Sequence, residues 1–169
     1  MTDTFYDLSL LALLMGIIAT AILDLSVLGL KMMGASTTNW ALVGRWVVFV
    51  SRGQFGAIAN GNGNGTKVRF ELVYGWLFHY IVGVIYSLLF LLICQGFSLP
   101  VSLGGALGFG ILTVLAPWLI LQPGLGLGLF AANTPKPAKT RLLNLTIHSI
   151  FGFSLFIAWK ILTQLVEIL

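Results

Sequence analysis

Four long apolar stretches dominate this chain, and each is long enough to cross a lipid bilayer as a helix. They occupy residues 8–30, 73–95, 101–122 and 143–163. At a rise of 1.5 Å per residue, helices of about 21 to 23 residues match a hydrocarbon core of ~30 Å. The connection 96–100 is short, so the second and third helices are expected to run in opposite directions. The pattern predicts an all-α integral membrane protein, an antiparallel four-helix transmembrane bundle that forms a single domain over residues 1–169.

A fifth apolar segment, near residues 39–51, is too short to span a membrane and is predicted to lie on its surface as an interfacial helix. Arg45 and Arg52 are seven residues apart and share one face of this helix. Thr38 or Asn39 is expected to cap its first turn. The positions expected to point toward lipid are Trp40, Val43, Val47 and Val50.

The composition excludes a soluble globular protein. Charged residues make up 8% of the chain and apolar residues 58%, and the mean hydropathy is +1.00. A soluble domain has roughly 25% charged residues, which it needs to cover a surface that faces water. No Lys, Arg, Asp or Glu occurs between Glu71 and Lys136, a length sufficient for two crossings. The single Cys94 excludes an intrachain disulfide.

The basic residues concentrate in two loops and set the expected orientation. Five of the nine Lys and Arg fall in the segment 31–69, three in 136–141, and the last is Lys160. Because cytoplasmic loops carry an excess of Lys and Arg, both loops are predicted to be cytoplasmic and both termini to face outward. The net charge of +4 is therefore attributed to orientation in the bilayer, and no nucleic-acid partner is expected.

The run Asn60 to Gly65 alternates asparagine with glycine, which favours turns over any regular element. It predicts a mobile loop tip. A phosphate-binding loop needs Gly-Lys directly before a Ser or Thr, whereas Gly65 is followed by Thr66 and then Lys67. No nucleotide site is expected.

A weak internal repeat relates the second and fourth stretches. His79-x-Ile81-x-Gly83 recurs as His148-x-Ile150-x-Gly152, an offset of 69 residues. Halves 8–98 and 100–166 would each contribute two spans in the same orientation. This predicts a parallel repeat of two helical hairpins about an axis along the membrane normal.

Three ionisable residues, Asp24, His79 and His148, lie inside the predicted spans. Each is seven or eight residues from a charged residue at the cytoplasmic boundary, which places all three roughly 10 to 12 Å inward. Gln122 lies near the same level. An ionisable group at the bilayer centre costs roughly 2.5 to 3.5 kcal/mol, so each needs a partner or a purpose. One hypothesis is a polar cluster that relays protons or binds a cation; the alternative is a set of pairings that locks the bundle.

No cofactor is expected, but two alternatives involve the histidines. His79 and His148 on facing helices at equal depth could ligate haem axially, with Gly83 and Gly152 leaving room for a porphyrin. Asp24 with both histidines could instead supply three ligands to zinc or another divalent metal.

Small residues and a proline are expected to shape the helix packing. Gly104 and Gly108 form a small-residue stripe that allows close helix approach, either within the bundle or across a dimer. Gly83 and Gly152 are further packing candidates. Pro117 removes one helical hydrogen bond and is expected to kink the third span.

Several strings along the chain form a recognisable series. They are ALVGRW at 41–46, RGQF at 52–55, GWLFHY at 75–80, TVLAPWLILQPGLGLG at 113–128 and TPKP at 134–137, together with Arg141, His148 and FG at 151–152. In this order, and including loops that hydropathy alone does not determine, they resemble an uncharacterised family of small bacterial inner-membrane proteins, labelled domain of unknown function two-nine-three-eight. The resemblance covers about Gly16 to Trp159.

The resemblance implies a four-span protein of the bacterial inner membrane and supplies no mechanism. The family pattern has an acid and two histidines that match Asp24, His79 and His148. Where it tends to carry a histidine after the RGxF string, this chain has Gly56. The loop strings imply that three basic residues matter: Arg45, Arg52 and Arg141.

Three functions are compatible with these features. The first is a transport-type or channel-type protein for protons, cations or a small solute, with the Asp and His residues at its polar site. The second is a non-catalytic accessory or assembly subunit that binds another membrane protein. The third is a haem-binding or metal-binding redox module. An enzyme is least expected, because no nucleophile with a positioned base is visible. Besides the lipid bilayer, a homodimer or a membrane partner protein is expected, because four spans enclose little space.

Overall fold

The structure, a computed structural model, describes residues 2–61 and 66–168 and is built from helices. Residues 62–65 of the predicted loop tip lie outside the described residues. Within the described ranges every regular element is helical. The α-helices are α1 (Thr2–Met32), α2 (Trp40–Ser51), α3 (Glu71–Gly96), α4 (Leu103–Thr113), α5 (Gln122–Gly124) and α6 (Pro137–Ile168). A π-helical turn covers Pro117–Leu121 and a 3-10 turn covers Leu129–Ala131.

Four segments of the described chain are long and apolar enough to cross a membrane. They are Leu8–Met32, Glu71–Gly96, Leu103–Gly124 and Pro137–Leu165. This confirms the predicted number of spans and indicates a membrane protein. The fourth begins earlier than predicted, because the helix runs through Lys139 and Arg141, where hydropathy alone placed a loop. The antiparallel arrangement and the internal repeat stay predictions.

The third span is interrupted near its proline. α4 ends at Thr113, Val114 lies in a turn, and a π-helical turn begins at Pro117. Proline has no N–H, and its ring crowds the preceding turn, so a regular α-helix cannot pass through it unchanged. The helix continues as a wider π-helical turn, in which the N–H of Gln122 donates to the carbonyl of Pro117, five residues back.

The chain divides into two compact units. Unit 1 comprises the described parts of Met1–Gly34, Tyr80–Thr113 and Thr146–Leu169. Unit 2 comprises the described parts of Ala35–His79 and Val114–Leu145. Every contact below lies within one unit.

The core of unit 1 is made of closely packed helices. In α1 the buried positions recur every three or four residues, which gives the helix one interior face; they are Ala12, Met15, Ala19 and Leu23. The partners on the other helices are Phe90, Leu91, Cys94, Ala106, Phe151, Leu155 and Ala158. Glycines allow the close approach: Gly83 lies against the Thr20 hydroxyl, and Gly110 lies against the backbone of Gly152. A Cβ at Gly110 would sit 2.6 Å from the Cα of Gly152.

Gly104 and Gly108 do not form the helix contact predicted within the chain. A Cβ at either position would meet no atom within 4 Å. The interior face of α4 instead carries Ala106, Gly110 and Thr113. Two residues along an α-helix turn it by about 200°, so positions 104 and 108 lie opposite Ala106. Their expected role across a dimer stays a prediction.

Unit 2 holds α2 against the start of α3. The predicted helix near 39–51 is present as Trp40–Ser51, and the side chain of Asn39 caps it by accepting from the N–H of Leu42 at 3.2 Å. Gly44 lies against the carbonyl of Glu71, and Gly75 lies against the carbonyl of Trp40, so the two backbones touch. The unit's core is Trp46, Phe49 and Ile58.

The helical face predicted for α2 was wrong at two positions. Val43, expected to point toward lipid, is fully buried, and Arg45, expected on the polar face with Arg52, is only 8% exposed. The reason is the close contact with α3 at Gly44, which turns the neighbouring residues inward. Val50 is 37% exposed, as the pattern predicted.

Candidate functional site

Asp24 is paired with a tyrosine in unit 1. The Tyr80 hydroxyl donates to Oδ2 of Asp24 at 3.1 Å, and the hydrogen bond joins α1 to α3. The bond engages one of the two oxygens of the carboxyl group, which accepts from the phenolic hydroxyl. Sequence analysis missed Tyr80. The signal that could have found it is its place in the string GWLFHY, directly after His79.

His148 is held in one tautomer by a threonine in unit 1. The Thr113 hydroxyl donates to the carbonyl of Gly110 at 2.6 Å, which uses its single hydrogen. The contact of 2.8 Å between Thr113 Oγ1 and His148 Nδ1 therefore has the imidazole as donor. In the neutral ring the lone pair is then on Nε2, which is the atom that can accept a proton.

His79 lies among tryptophans in unit 2. Its ring centroid is 4.2 Å from that of Trp40, with 32° between the planes, and 5.8 Å from that of Trp76 in an edge contact. The two tryptophans are themselves 5.5 Å apart. These rings fix the plane of the imidazole and connect α2 to the first turns of α3.

The predicted site residues thus have partners of different chemical kinds: a tyrosine for Asp24, a threonine for His148 and indole rings for His79. Over residues 2–61 and 66–168, no group of three or more His, Cys, Asp or Glu side chains could hold a metal ion. The divalent-metal hypothesis stays an untested prediction.

The space expected for a porphyrin is absent at both glycines. Gly83 is covered by the hydroxyl of Thr20, and Gly152 by the carbonyl of Ala106. Both glycines let neighbouring helices approach closely, so the expectation that they leave room for haem was wrong. Haem binding itself stays an untested prediction.

Gln122 lies in unit 2 and is 5% exposed. Its side-chain Oε1 has no hydrogen-bond partner among the described residues, and the same holds for the indole N–H groups of Trp46 and Trp118. The backbone of Gly124 covers the indole nitrogen of Trp46. Buried polar atoms without a partner each cost about 1 to 3 kcal/mol, and the hydroxyl oxygens of Thr20 and Ser87 in unit 1 are in the same situation.

Arg45 forms a buried ion pair with Glu71. Arg45 Nε lies 2.8 Å from Oε2 and Nη2 lies 3.1 Å from Oε1, while the N–H of Val68 donates to Oε2 at 3.2 Å. The two side chains are 10% and 17% exposed. The hydrogen bonds that Arg45 donates to Glu71 raise the pKa of Arg45 above its ordinary value, although burial acts in the opposite direction. The pair fastens α2 to the first residue of α3.

The other two basic loop residues have different surroundings. Arg52 ends α2, where its backbone N–H donates to the carbonyl of Phe49 at 3.0 Å, and it is exposed. Arg141 Nε donates to the carbonyl of Phe130 at 2.7 Å. Phe130 and Ala131 have φ angles of 53° and 59°, in the left-handed region that residues with a Cβ rarely adopt. Arg141 therefore stabilises a strained turn.

The glycine-rich stretch after Pro123 forms hydrogen bonds to some of its own backbone groups. Leu127 N–H donates to the carbonyl of Gln122 at 2.8 Å, and Asn133 N–H donates to that of Leu127 at 2.9 Å. Asn133 also donates through Nδ2 to the carbonyl of Gly126 at 3.3 Å. Non-helical backbone is tolerated at membrane depth only with such bonds or with protein cover.

Comparison with known families gives one match. Residues 13–162 match the family described as Protein of unknown function (DUF2938). The chain belongs to this family. No curated protein and no solved structure matches it. Because the DUF2938 description carries no activity, the function has to be argued from the residues themselves.

Asp24 and His148 are titratable side chains inside segments able to cross a membrane. Each is hydrogen-bonded to a hydroxyl group, Asp24 through Oδ2 and His148 through Nδ1. Neither arrangement resembles a nucleophile with its base. A carboxylate and an imidazole of this kind can accept and release protons, or bind a cation.

Proposed function

We propose that this DUF2938 protein is a small transport-type or channel-type membrane protein that handles protons, cations or a small solute, with Asp24 and His148 as its titratable groups. The observation that carries the proposal is the pair of hydroxyl contacts in unit 1, Tyr80 to Asp24 and Thr113 to His148. Both ionisable groups lie in apolar segments, where their presence is costly unless they have a partner or a purpose.

The hydrogen bonds support a role in proton transfer more than a role in packing alone. The tautomer of His148 presents Nε2 as its basic atom, and the carboxylate of Asp24 has a second oxygen besides the one that Tyr80 contacts. Histidine changes its charge near neutral pH more readily than any other side chain. A carboxylate and an imidazole are the usual members of intramembrane proton relays.

In this proposal the four spans form an antiparallel bundle in the bacterial inner membrane, with both termini outside. The inner ends of the spans then carry Asp24 and His148 near the cytoplasmic side. His79 and Gln122, which lie in unit 2, are further candidate polar residues. Because four spans enclose little space, a solute path is expected to require a second copy of the chain.

The proposal is tested by proton and cation flux in proteoliposomes with an internal pH-sensitive dye. Asp24→Asn keeps the size of the side chain and removes its charge, so we expect flux to fall at least about tenfold. Ser26→Ala is the matched control, because Ser26 lies two residues further along α1 and bonds only within its helix, to the carbonyl of Ile22 at 2.9 Å. An unchanged flux in Asp24→Asn, or an equal loss in both variants, would contradict the proposal.

A second candidate function, an accessory subunit, is favoured by one observation. Gly104 and Gly108 are exposed on α4, and a Cβ at either would meet open space. Small residues four apart allow close approach of another transmembrane helix. A partner membrane protein should then co-purify with the wild-type chain in mild detergent, and it should be lost when Gly108→Leu blocks the surface. Co-purification that Gly108→Leu leaves unchanged would exclude this surface.

A further inference from the structure

Unit 2 carries almost all of the basic residues of the protein. It contains seven Lys and Arg and a single acid, Glu71. Unit 1 contains two Lys against four acids. The charge of the molecule is therefore divided unequally between the two units.

The single acid of unit 2 does not offset the surface charge. Glu71 is engaged by Arg45 through two hydrogen bonds, and both side chains are mostly buried. The pair is neutral as a whole, which leaves six basic residues without an acidic counterpart in the unit. All six are exposed: Arg52, Lys67, Arg69, Lys136, Lys139 and Arg141. We call them the basic surface of unit 2.

Large apolar side chains are exposed between these cations. The guanidinium of Arg69 lies 4.7 Å from the ring centroid of Phe70, which is 58% exposed. Arg141 is bonded to the backbone of Phe130 and is followed by Leu142, which is 66% exposed. A surface that binds a small anion from water does not need exposed aromatic and aliphatic groups beside each cation. A surface at the level of lipid headgroups does, because phosphates and acyl chains lie within a few ångströms of each other there.

We infer that the basic surface of unit 2 binds the phosphates of anionic phospholipids. The cations supply the attraction, the neighbouring Phe70, Phe130 and Leu142 enter the acyl region, and the internal neutralisation of Glu71 by Arg45 keeps an opposing charge away. Basic residues beside an apolar segment attract anionic lipids, and the attraction is screened by salt. The protein thus selects the lipids around it.

The inference predicts a preference that can be measured with brominated lipids, which quench tryptophan fluorescence on contact. Three of the four tryptophans of unit 2 are not buried, so quenching reports mainly on lipids near that unit; they are Trp40, Trp76 and Trp118. The protein is reconstituted in phosphatidylcholine with either brominated phosphatidylglycerol or brominated phosphatidylcholine. We expect phosphatidylglycerol to associate several-fold more strongly, and the ratio to approach one in molar sodium chloride.

Charge removal identifies the surface. Lys136→Gln with Lys139→Gln should lower the preference for phosphatidylglycerol by about twofold or more. Lys31→Gln with Lys160→Gln is the matched control, since it removes the same charge from exposed positions of unit 1 and should keep the preference. If the first double variant does not fold, as judged by its melting temperature in detergent, Lys67→Gln with Arg69→Gln replaces it.

Three results would overturn the inference. Equal quenching by both lipids in wild-type protein would show that no preference exists. An equal loss in both double variants would assign the preference to net charge instead of this surface. Displacement of brominated phosphatidylglycerol by millimolar inorganic phosphate, but not by chloride of the same ionic strength, would show a site for free anions.

Discussion

The imidazole of His148 donates to a hydroxyl of Thr113 whose own hydrogen is committed to the carbonyl of Gly110, and this chain of two bonds fixes where His148 can take up a proton. Thr113 sits on the interior face of α4 and is buried. The tautomer of His148 therefore depends on a residue from another helix of unit 1.

Thr113→Val should release His148 from this tautomer. Valine keeps the shape of threonine but cannot accept a hydrogen bond, so the imidazole loses its Nδ1 partner. We expect unfolding free energy to fall by about 1 to 3 kcal/mol, because a buried polar group loses its bond. Nitrogen NMR of protein labelled at histidine distinguishes the two tautomers directly. Thr113→Ser retains the hydroxyl and should keep the wild-type spectrum; a wild-type spectrum in Thr113→Val would contradict the assignment.

Tyr80→Phe tests the partner of Asp24. The substitution removes one hydroxyl donor and leaves the ring and the carboxylate in place. If Asp24 acts in proton movement, flux in proteoliposomes should fall several-fold, yet less than in Asp24→Asn, since the titratable group remains. Tyr86→Phe serves as the control, because Tyr86 packs against Phe109 and Phe151 in the same unit. Equal flux in Tyr80→Phe and wild type would show that transport does not need this hydrogen bond.

The ion pair between Arg45 and Glu71 should be a principal support of unit 2. Glu71→Gln leaves a mostly buried guanidinium without its counter-charge, and breaking such a pair by removing one partner costs about 3 to 5 kcal/mol. Arg45→Lys retains the charge but not the planar fork that makes two bonds, so a smaller loss is expected. Thermal unfolding in detergent measures both. Arg52→Lys, at an exposed position, should melt like wild type.

Two glycines of α4 should respond oppositely to alanine. A Cβ at Gly110 would meet the backbone of Gly152 and His148 at 2.6 Å, so Gly110→Ala is expected to destabilise by about 1 to 3 kcal/mol or more. Gly108→Ala enters open space and should stabilise by up to about 1 kcal/mol, because alanine favours the helix. Melting temperatures of the two variants provide the measurement. A lower melting temperature of Gly108→Ala than of wild type would show that the open face is occupied, for example by a second copy.

The sequence was sufficient for the elements that depend on local pattern. Uninterrupted apolar runs predicted the four spans, and the cap at Asn39 followed from the residue type. Which side of a helix faces inward was less predictable. In α4 every second residue is small, so the stripe at Gly104 and Gly108 and the stripe at Ala106 and Gly110 look alike until the partner helix is known.

Among the site residues too, some could be predicted from the sequence and others could not. Asp24 and His148 stood out because an ionisable residue is rare in an apolar run. Their partners Tyr80 and Thr113 did not, because hydroxyl side chains are common in membrane helices. Only the position of Tyr80 directly after His79 in the string GWLFHY marks it. The burial of Arg45 depends on Glu71, 26 residues further along the chain. Such pairings follow only from the fold.

The contact of Gly44 with the carbonyl of Glu71, and of Gly75 with that of Trp40, joins main chain to main chain. A genetic consequence follows. When a bulky side chain causes a clash with another side chain, shortening the second one can restore the fit. Here each glycine faces a backbone, which mutation cannot shorten. A screen for intragenic suppressors of Gly44→Ala or Gly75→Ala should therefore return true revertants to glycine and few compensating changes elsewhere.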